Sequence, residues 1–170
     1  MLTSVSRSPI NEKLPFCRLG YFDEKKDEYH PIMSQLAKMT VTSLQLAIIS
    51  GQISIVEKLL SMVPMSNDQA EDEAKLSIIS GQKATVEFSE GIEKYGEGDR
   101  MLHGCSAFHL AARFHAESLK LFIDLFKNNS SKLQELIAEK TTDHPMKLSP
   151  LHLAACNVSS KSLRYVKRWN

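Results

Sequence analysis

Ser149-Pro150-Leu151-His152-Leu153-Ala154-Ala155 is the stretch that decides the fold. A serine followed by a proline is typical of a helix start, because the serine hydroxyl accepts a hydrogen bond from a free backbone N–H and proline lacks an N–H that would need a partner. The two alanines leave room for a neighbouring element to approach closely. The stretch therefore predicts a short helix that packs tightly against another part of the molecule.

The same pattern occurs at two earlier places, and a related string adds a further copy between them. Its matches are Thr42-Ser43-Leu44-Gln45-Leu46-Ala47-Ile48 and Ser106-Ala107-Phe108-His109-Leu110-Ala111-Ala112. The related string is Ile48-Ile49-Ser50-Gly51-Gln52, which recurs 30 positions later as Ile78-Ile79-Ser80-Gly81-Gln82. Self-similarity of this kind indicates a repeat architecture.

A second amphipathic segment follows the first helix in the best-preserved copies. Residues 53–63 and 116–127 both place apolar side chains at helical spacing. Gly51 and Gly81 are expected to end the preceding helices, since glycine adopts a positive φ at little cost. A helix pair cannot bury both of its apolar faces alone, so the pairs are expected to stack into a solenoid.

The strings at 149–155 and 104–112 resemble the signature of the ankyrin repeat, in which Thr-Pro-Leu-His opens the first helix and Leu-Ala-Ala continues it. The resemblance covers roughly residues 40–168 and implies an all-α ankyrin-repeat solenoid of about four stacked helix-turn-helix units. Its copies are expected near 40–69, 70–103, 104–146 and 147–170, within a domain over 29–170. We expect residues 1–28 to be a flexible tail and residues 31–38 to form a capping helix.

Three features depart from a regular array. The second copy is degenerate, because Asp72-Glu73-Ala74-Lys75 replaces the opening string and residues 90–99 are polar and broken by glycine. The third copy is followed by extra length over 128–147, with a short added helix expected at 131–140. The last copy is short, which fits a fragment of a longer array, a minimal C-terminal cap or an end covered in a dimer.

Composition narrows the class of protein and of partner. The chain has 170 residues, of which 42% are hydrophobic and 24% charged, and its net charge is +1. A near-neutral chain argues against nucleic acid as the main partner, and no apolar stretch predicts membrane insertion or a signal peptide. The expected compartment is intracellular and cytoplasmic, with the nucleus or delivery into a host cell as alternatives. The basic segment at 161–169 is read as a solvated helix face.

Cysteine and histidine occur in pairs that suggest chemistry. Cys105 with His109, and His152 with Cys156, are each four positions apart, as zinc ligands on a helix often are. Cys105, however, precedes its helix, and the resemblance implies that both histidines form structural hydrogen bonds. We expect no catalytic residue, no metal and no cofactor, and hence no enzyme. A small cysteine-dependent enzyme stays as an alternative.

The resemblance implies that the protein binds a protein partner through the concave surface and hairpin fingers of its repeats. Candidate contacts are the positions not needed by the scaffold: Ser50, Ser80, His103, Cys105, Arg113, Phe114, Met146 and Asn157. Arg113 and Phe114 are the strongest of these, since arginine and aromatic residues dominate interface hot spots. The insertion at 128–147 is a further candidate. As an alternative, the chain is the adaptor segment of a larger channel, kinase, or bacterial or viral effector.

Overall fold

The computed structural model describes residues 13–16, 20–23, 28–31, 37–63, 68–88, 101–142, 147–156 and 165. Helices form most of the regular structure in these ranges. The strands are β1 Lys13–Phe16, β2 Gly20–Asp23, β3 Glu28–Pro31, β4 Ala37–Thr42 and β5 Thr85–Phe88. The helices are α1 Ser43–Ile49, α2 Ile53–Ser61, α3 Asp68–Ser80, α4 Ala107–Phe114, α5 Ala116–Phe126, α6 Ser130–Ala138 and α7 Pro150–Ala155.

The three best-matched copies begin their first helices as the sequence predicts. Thr42 Oγ1 accepts from the backbone N–H of Gln45 at 3.2 Å, and Gln45 Oε1 accepts from that of Thr42 at 2.9 Å. His109 and His152 replace this glutamine: their Nδ1 atoms accept from the backbone N–H groups of Ser106 and Ser149, at 3.4 and 3.2 Å. Each pair forms a capping box, which satisfies donors that a helix start leaves free.

These first helices stack on one another. α1 packs against α4, and α4 packs against α7, while α2 lies beside α5. Close approach is possible because Ala47, Ala111 and Ala154 are small and buried at the contacts. Larger side chains fill the space between the helices. The rings of Phe108 in α4 and Phe122 in α5, for example, are 6.3 Å apart. The first copy thus lies directly on the third.

The second copy differs from the expected helix pair. Its first helix is present as α3, which packs against α4, but β5 follows where a second helix was expected. Gly81 does not share the positive φ of Gly51, which is +69°. Thr85 and Val86 are β-branched and suit a strand, which here pairs with β4. Within the described residues 68–88, the second copy therefore consists of one helix and one strand.

A hydrogen-bonded sheet runs along the end of the stack where the first helices begin. β4 pairs antiparallel with both β1 and β5, so that Thr40 lies opposite Pro15 and Thr85. Main-chain bonds extend the pairing past β5: the Ala84 N–H donates to the Cys105 carbonyl at 2.8 Å, and the Thr142 N–H donates to the Gly104 carbonyl at 3.3 Å. The fold is therefore mostly helical, in agreement with the all-α expectation, and the described residues add antiparallel strands to it.

The N-terminal expectations also need correction. Residues 13–16 and 20–23 fall within the expected flexible tail, but they form β1 and β2, and β2 pairs with β3. Pro31 ends β3, and Ala37 and Lys38 begin β4, so the capping helix expected over 31–38 is wrong at these positions. Strand pairing determines the structure here, and local periodicity carries no sign of it.

The insertion after the third copy contains the helix that was expected there. It is α6, and Asn129 begins it by accepting from the Lys132 N–H at 3.4 Å. Leu133, Leu136 and Ile137 are buried. In the last copy, α7 is followed by residues outside the described ranges apart from Tyr165, which is helical and half-buried. None of the helices in the described ranges has the length and apolar character needed to cross a membrane.

Candidate functional site

The turns that follow the stacked first helices form one continuous surface. We call it the turn surface, and it consists of Ser50, Gly51, Gln52, Arg113, Phe114, His115, Ala155 and Cys156. Ser50, Gly51, Gln52, Ala155 and Cys156 are exposed, and the other three are half-buried. A Cβ at Gly51 would lie 3.8 Å from His115 Cδ2, and Arg113 Nη1 donates to the Cys156 carbonyl at 2.9 Å. The first and third copies are thus in contact here, as are the third and fourth.

Arg113 and Phe114 lie at the centre of the turn surface. The Arg113 guanidinium carbon is 5.7 Å from the centroid of the Phe114 ring, within the range of a cation–π interaction. Phe114 is partly buried against the core, which fixes one side of its ring. Arg113 has five N–H donors, and one of them donates to the Cys156 carbonyl. A positioned cation and a partly exposed ring therefore stand next to each other.

His115 connects this surface to α5. Its Nδ1 lies 2.7 Å from Ser118 Oγ, and its Nε2 lies 3.7 Å from Glu117 Oε2. Burial lowers the pKa of His115, and the Glu117 carboxylate partly opposes the effect. The Ser118 hydroxyl, the His115 ring and the Glu117 carboxylate lie next to one another, as the three groups of a catalytic triad do. Ser118, however, is fully buried. Its hydroxyl cannot reach a substrate, so the three side chains form a structural contact across the first turn of α5.

His103 and Cys105, which were also predicted to contact a partner, lie at the opposite end of α4. Both contact other residues of the protein itself. His103 is half-buried, and its Nδ1 accepts from the Val86 N–H at 3.0 Å. Cys105 is completely buried, with its Sγ 3.2 Å from the Met101 carbonyl oxygen. Burial raises the pKa of the Cys105 thiol to about 12. Cys105 is therefore neither an accessible contact nor a nucleophile, which corrects the expectation for this residue.

Ser80 belongs to a polar cluster that the sequence did not indicate. Its hydroxyl donates to Glu139 Oε1 at 2.8 Å, and the Ser106 hydroxyl donates to Glu139 Oε2 at 3.0 Å. The Lys83 ammonium group forms an ion pair with the same carboxylate. Ser80 is therefore engaged inside the protein, which corrects its assignment as a free contact position. Glu139 lies in the insertion, and only the fold brings it here.

His109 faces the same cluster and is completely buried. Its Nδ1 lies 2.7 Å from Ser106 Oγ and 3.7 Å from Glu139 Oε2. Burial lowers the pKa of His109 to about 4, although the Glu139 carboxylate acts in the opposite direction. The ring is therefore neutral at pH 7, as its capping role requires, because Nδ1 must be free to accept a hydrogen bond.

The predicted contacts thus fall into two groups, one at each end of α4. Ser50, Arg113 and Phe114 come together on the turn surface, while Ser80, His103 and Cys105 are held among the turns that precede α4. Met146 and Asn157 lie outside the described residues. Within the described ranges, no group of three or more histidine, cysteine, aspartate or glutamate side chains could hold a metal ion.

Comparison with known proteins identifies no relative. No family model matches the chain, and neither does any curated protein or solved structure. The resemblance to ankyrin repeats therefore rests on the repeated strings of the sequence.

Proposed function

We propose that the protein is a non-enzymatic scaffold of ankyrin-like repeats, and that its turn surface binds a protein partner. The observation that carries the proposal is the contiguity of three turns from three copies, with Arg113 and Phe114 at their centre. Interfaces of this kind obtain most of their affinity from a few arginine and aromatic residues.

The arrangement of repeated and varied positions supports this proposal. The capping positions Thr42, Ser106 and Ser149 share one chemistry, since each uses a hydroxyl to begin a helix. Seven positions later the third and fourth copies carry Arg113 and Cys156 on the turn surface, whereas the first carries the buried Ile49. A scaffold is expected to repeat the residues that build it and to vary those that contact a partner.

One cysteine and one serine that could have acted as nucleophiles also fit a non-enzymatic function, because both are buried. Cys105 is buried with a raised thiol pKa, and Ser118 is buried beside His115. A nucleophile needs both an activating base and access to its substrate. The proposal applies equally to an independent protein and to a segment of a larger one, because the turn surface is the same in both.

The test is capture of a partner from cell lysate by the wild-type chain and by an Arg113→Ala/Phe114→Ala double variant. A Gln134→Ala/Glu135→Ala variant is the matched control, because both side chains are exposed on α6. Circular dichroism must show wild-type helix content for both variants. We expect a partner that the wild type and the control retain and the first variant loses. Equal capture by all three proteins would refute the role of the turn surface.

A further inference from the structure

α3 is held to the rest of the protein differently from the helices of the stack. α4 and α5 each bury six residues. In α3, Ile79 is the one completely buried side chain among residues 70–80. Leu76 and Ile78 are half-buried against the core. Because burial of apolar surface is the main stabilising term in folding, α3 gains much less from packing than its neighbours do.

Polar contacts help to hold α3 in place, and three of them reach the insertion or its edge. Near its start, Asn129 Nδ2 donates to Asp72 Oδ2 at 3.4 Å, and Lys132 Nζ lies 3.8 Å from Glu73 Oε1. At its end, Ser80 donates to Glu139 at 2.8 Å. α3 and α6 therefore run side by side in the same direction, joined at both ends by side chains.

The contacts at the two ends differ in strength. The Glu73 side chain is 65% exposed, so its ion pair with Lys132 is screened by water and contributes little. The Glu139 carboxylate is 19% exposed and accepts from two hydroxyls besides its ion pair with Lys83. Hydrogen bonds to a charged group at a partly buried site are among the stronger ones. The bond from Ser80 to Glu139 is thus the stronger polar attachment of α3.

We propose that α3 is a strap that opens as a unit while the stack of α1, α4, α5 and α7 stays folded, and that Glu139 holds it closed. The segment after α3 remains attached during opening, because Ala84 is bonded through its backbone to Gly104 and Cys105. Opening uncovers Ile79 and the side of α4 that α3 contacts. The closed and open positions of α3 are thus two states of the protein. A ligand that binds one of them more tightly shifts the population toward that state.

Amide hydrogen exchange of the full-length wild-type chain tests the first part of the proposal. Elements that open locally exchange faster than those that open only on global unfolding. We expect the amides of α3 to exchange at least about tenfold faster than those of α5, the reference helix. Exchange of both helices at the rate of global unfolding would overturn the proposal.

The same measurement on Glu139→Gln tests the attachment. We expect about tenfold faster exchange in α3, because the hydrogen bond that Ser80 donates to the carboxylate becomes a bond to a neutral amide. Exchange in α5 should stay unchanged. The control is Glu135→Gln, one turn earlier on α6 and exposed, which should alter neither helix. Equal acceleration of α3 and α5, or no acceleration of α3, would show that Glu139 does not hold a separable strap.

Discussion

Gly51 and Gly104 both have a positive φ, +69° and +74°, but their surroundings differ. A Cβ at Gly51 would meet the His115 ring at an ordinary 3.8 Å, whereas one at Gly104 would lie 1.8 Å from the Thr142 carbonyl oxygen. We expect Gly51→Ala to lower the free energy of unfolding by about 1 kcal/mol, from backbone strain alone. Gly104→Ala should cost at least about 2 kcal/mol more, because the backbone must also move. Urea denaturation measures both; equal losses would contradict the close approach of Gly104 to Thr142.

A histidine that is buried in its neutral form makes stability depend on pH. The pKa of His109 is about 4 in the folded protein and 6.5 as its ordinary value, so between these values the unfolded chain binds more protons. The contribution of His109 to stability is complete above pH 6.5 and decreases as the pH falls toward 4. Lowering the pH from 7 to 5 should therefore cost the wild type about 2 kcal/mol through this group.

The variant His109→Gln isolates that effect, because Gln45 already forms the same capping box in the first copy. We expect the variant to lose about 2 kcal/mol less than the wild type between pH 7 and pH 5. Chemical denaturation at the two pH values gives the comparison. The pKa of His115 is also lowered, but this residue is present in both proteins, so its contribution cancels. Identical pH dependence would mean that His109 is not buried as a neutral ring.

Individual capping residues were predictable because their signal is local. The threonine or serine that opens each repeated string is enough to place the helix starts at Thr42, Ser106 and Ser149. Glu139 was not predictable, since its partners Ser80 and Ser106 lie 59 and 33 positions away in sequence. Contacts of this kind depend on the completed fold.

Among the elements, α6 shows that the insertion is part of the folded structure. Leu136 is 1% exposed, whereas Gln134 on the same helix is exposed. We expect Leu136→Ala to lower the free energy of unfolding by about 2–4 kcal/mol, through lost burial and the cavity left behind. Gln134→Ala should change it by less than about 0.5 kcal/mol. A small effect of Leu136→Ala in urea denaturation would instead indicate that the insertion is a surface loop that contributes little to the stability of the fold.

The contrast between α2 and β5 shows why one element of the second copy could not be predicted. Both follow the string Ile-Ile-Ser-Gly-Gln, and Val56-Glu57 in α2 corresponds to Val86-Glu87 in β5. Residues 85–88 pair with β4, and Ala84 just before them is bonded to the segment before α4. Those partners are distant in sequence, so their effect overrides a helical pattern without any local sign.

For the whole molecule, the sequence predicted stacked helical repeats but not their order. It implied that the four copies follow one another, whereas the structure places the first copy on the third and leaves α3 at the side. Similar small residues in α1 and α4 allow this contact, but they would equally allow contact with a regular second copy. The turn surface was predictable only in part, because its continuity depends on that order of stacking.

The nuclear Overhauser effect between an α-proton of Gly51 and the Hδ2 proton of His115 tests the stacking order most directly. The order α1–α4–α7 predicts a clear cross-peak, since a Cβ at Gly51 would lie 3.8 Å from His115 Cδ2. If the second copy stood between the first and the third, these groups would be about 20 Å apart, two helix spacings. Absence of the cross-peak, with contacts from Gly51 to Gly81 instead, would contradict both the stacking order and the turn surface.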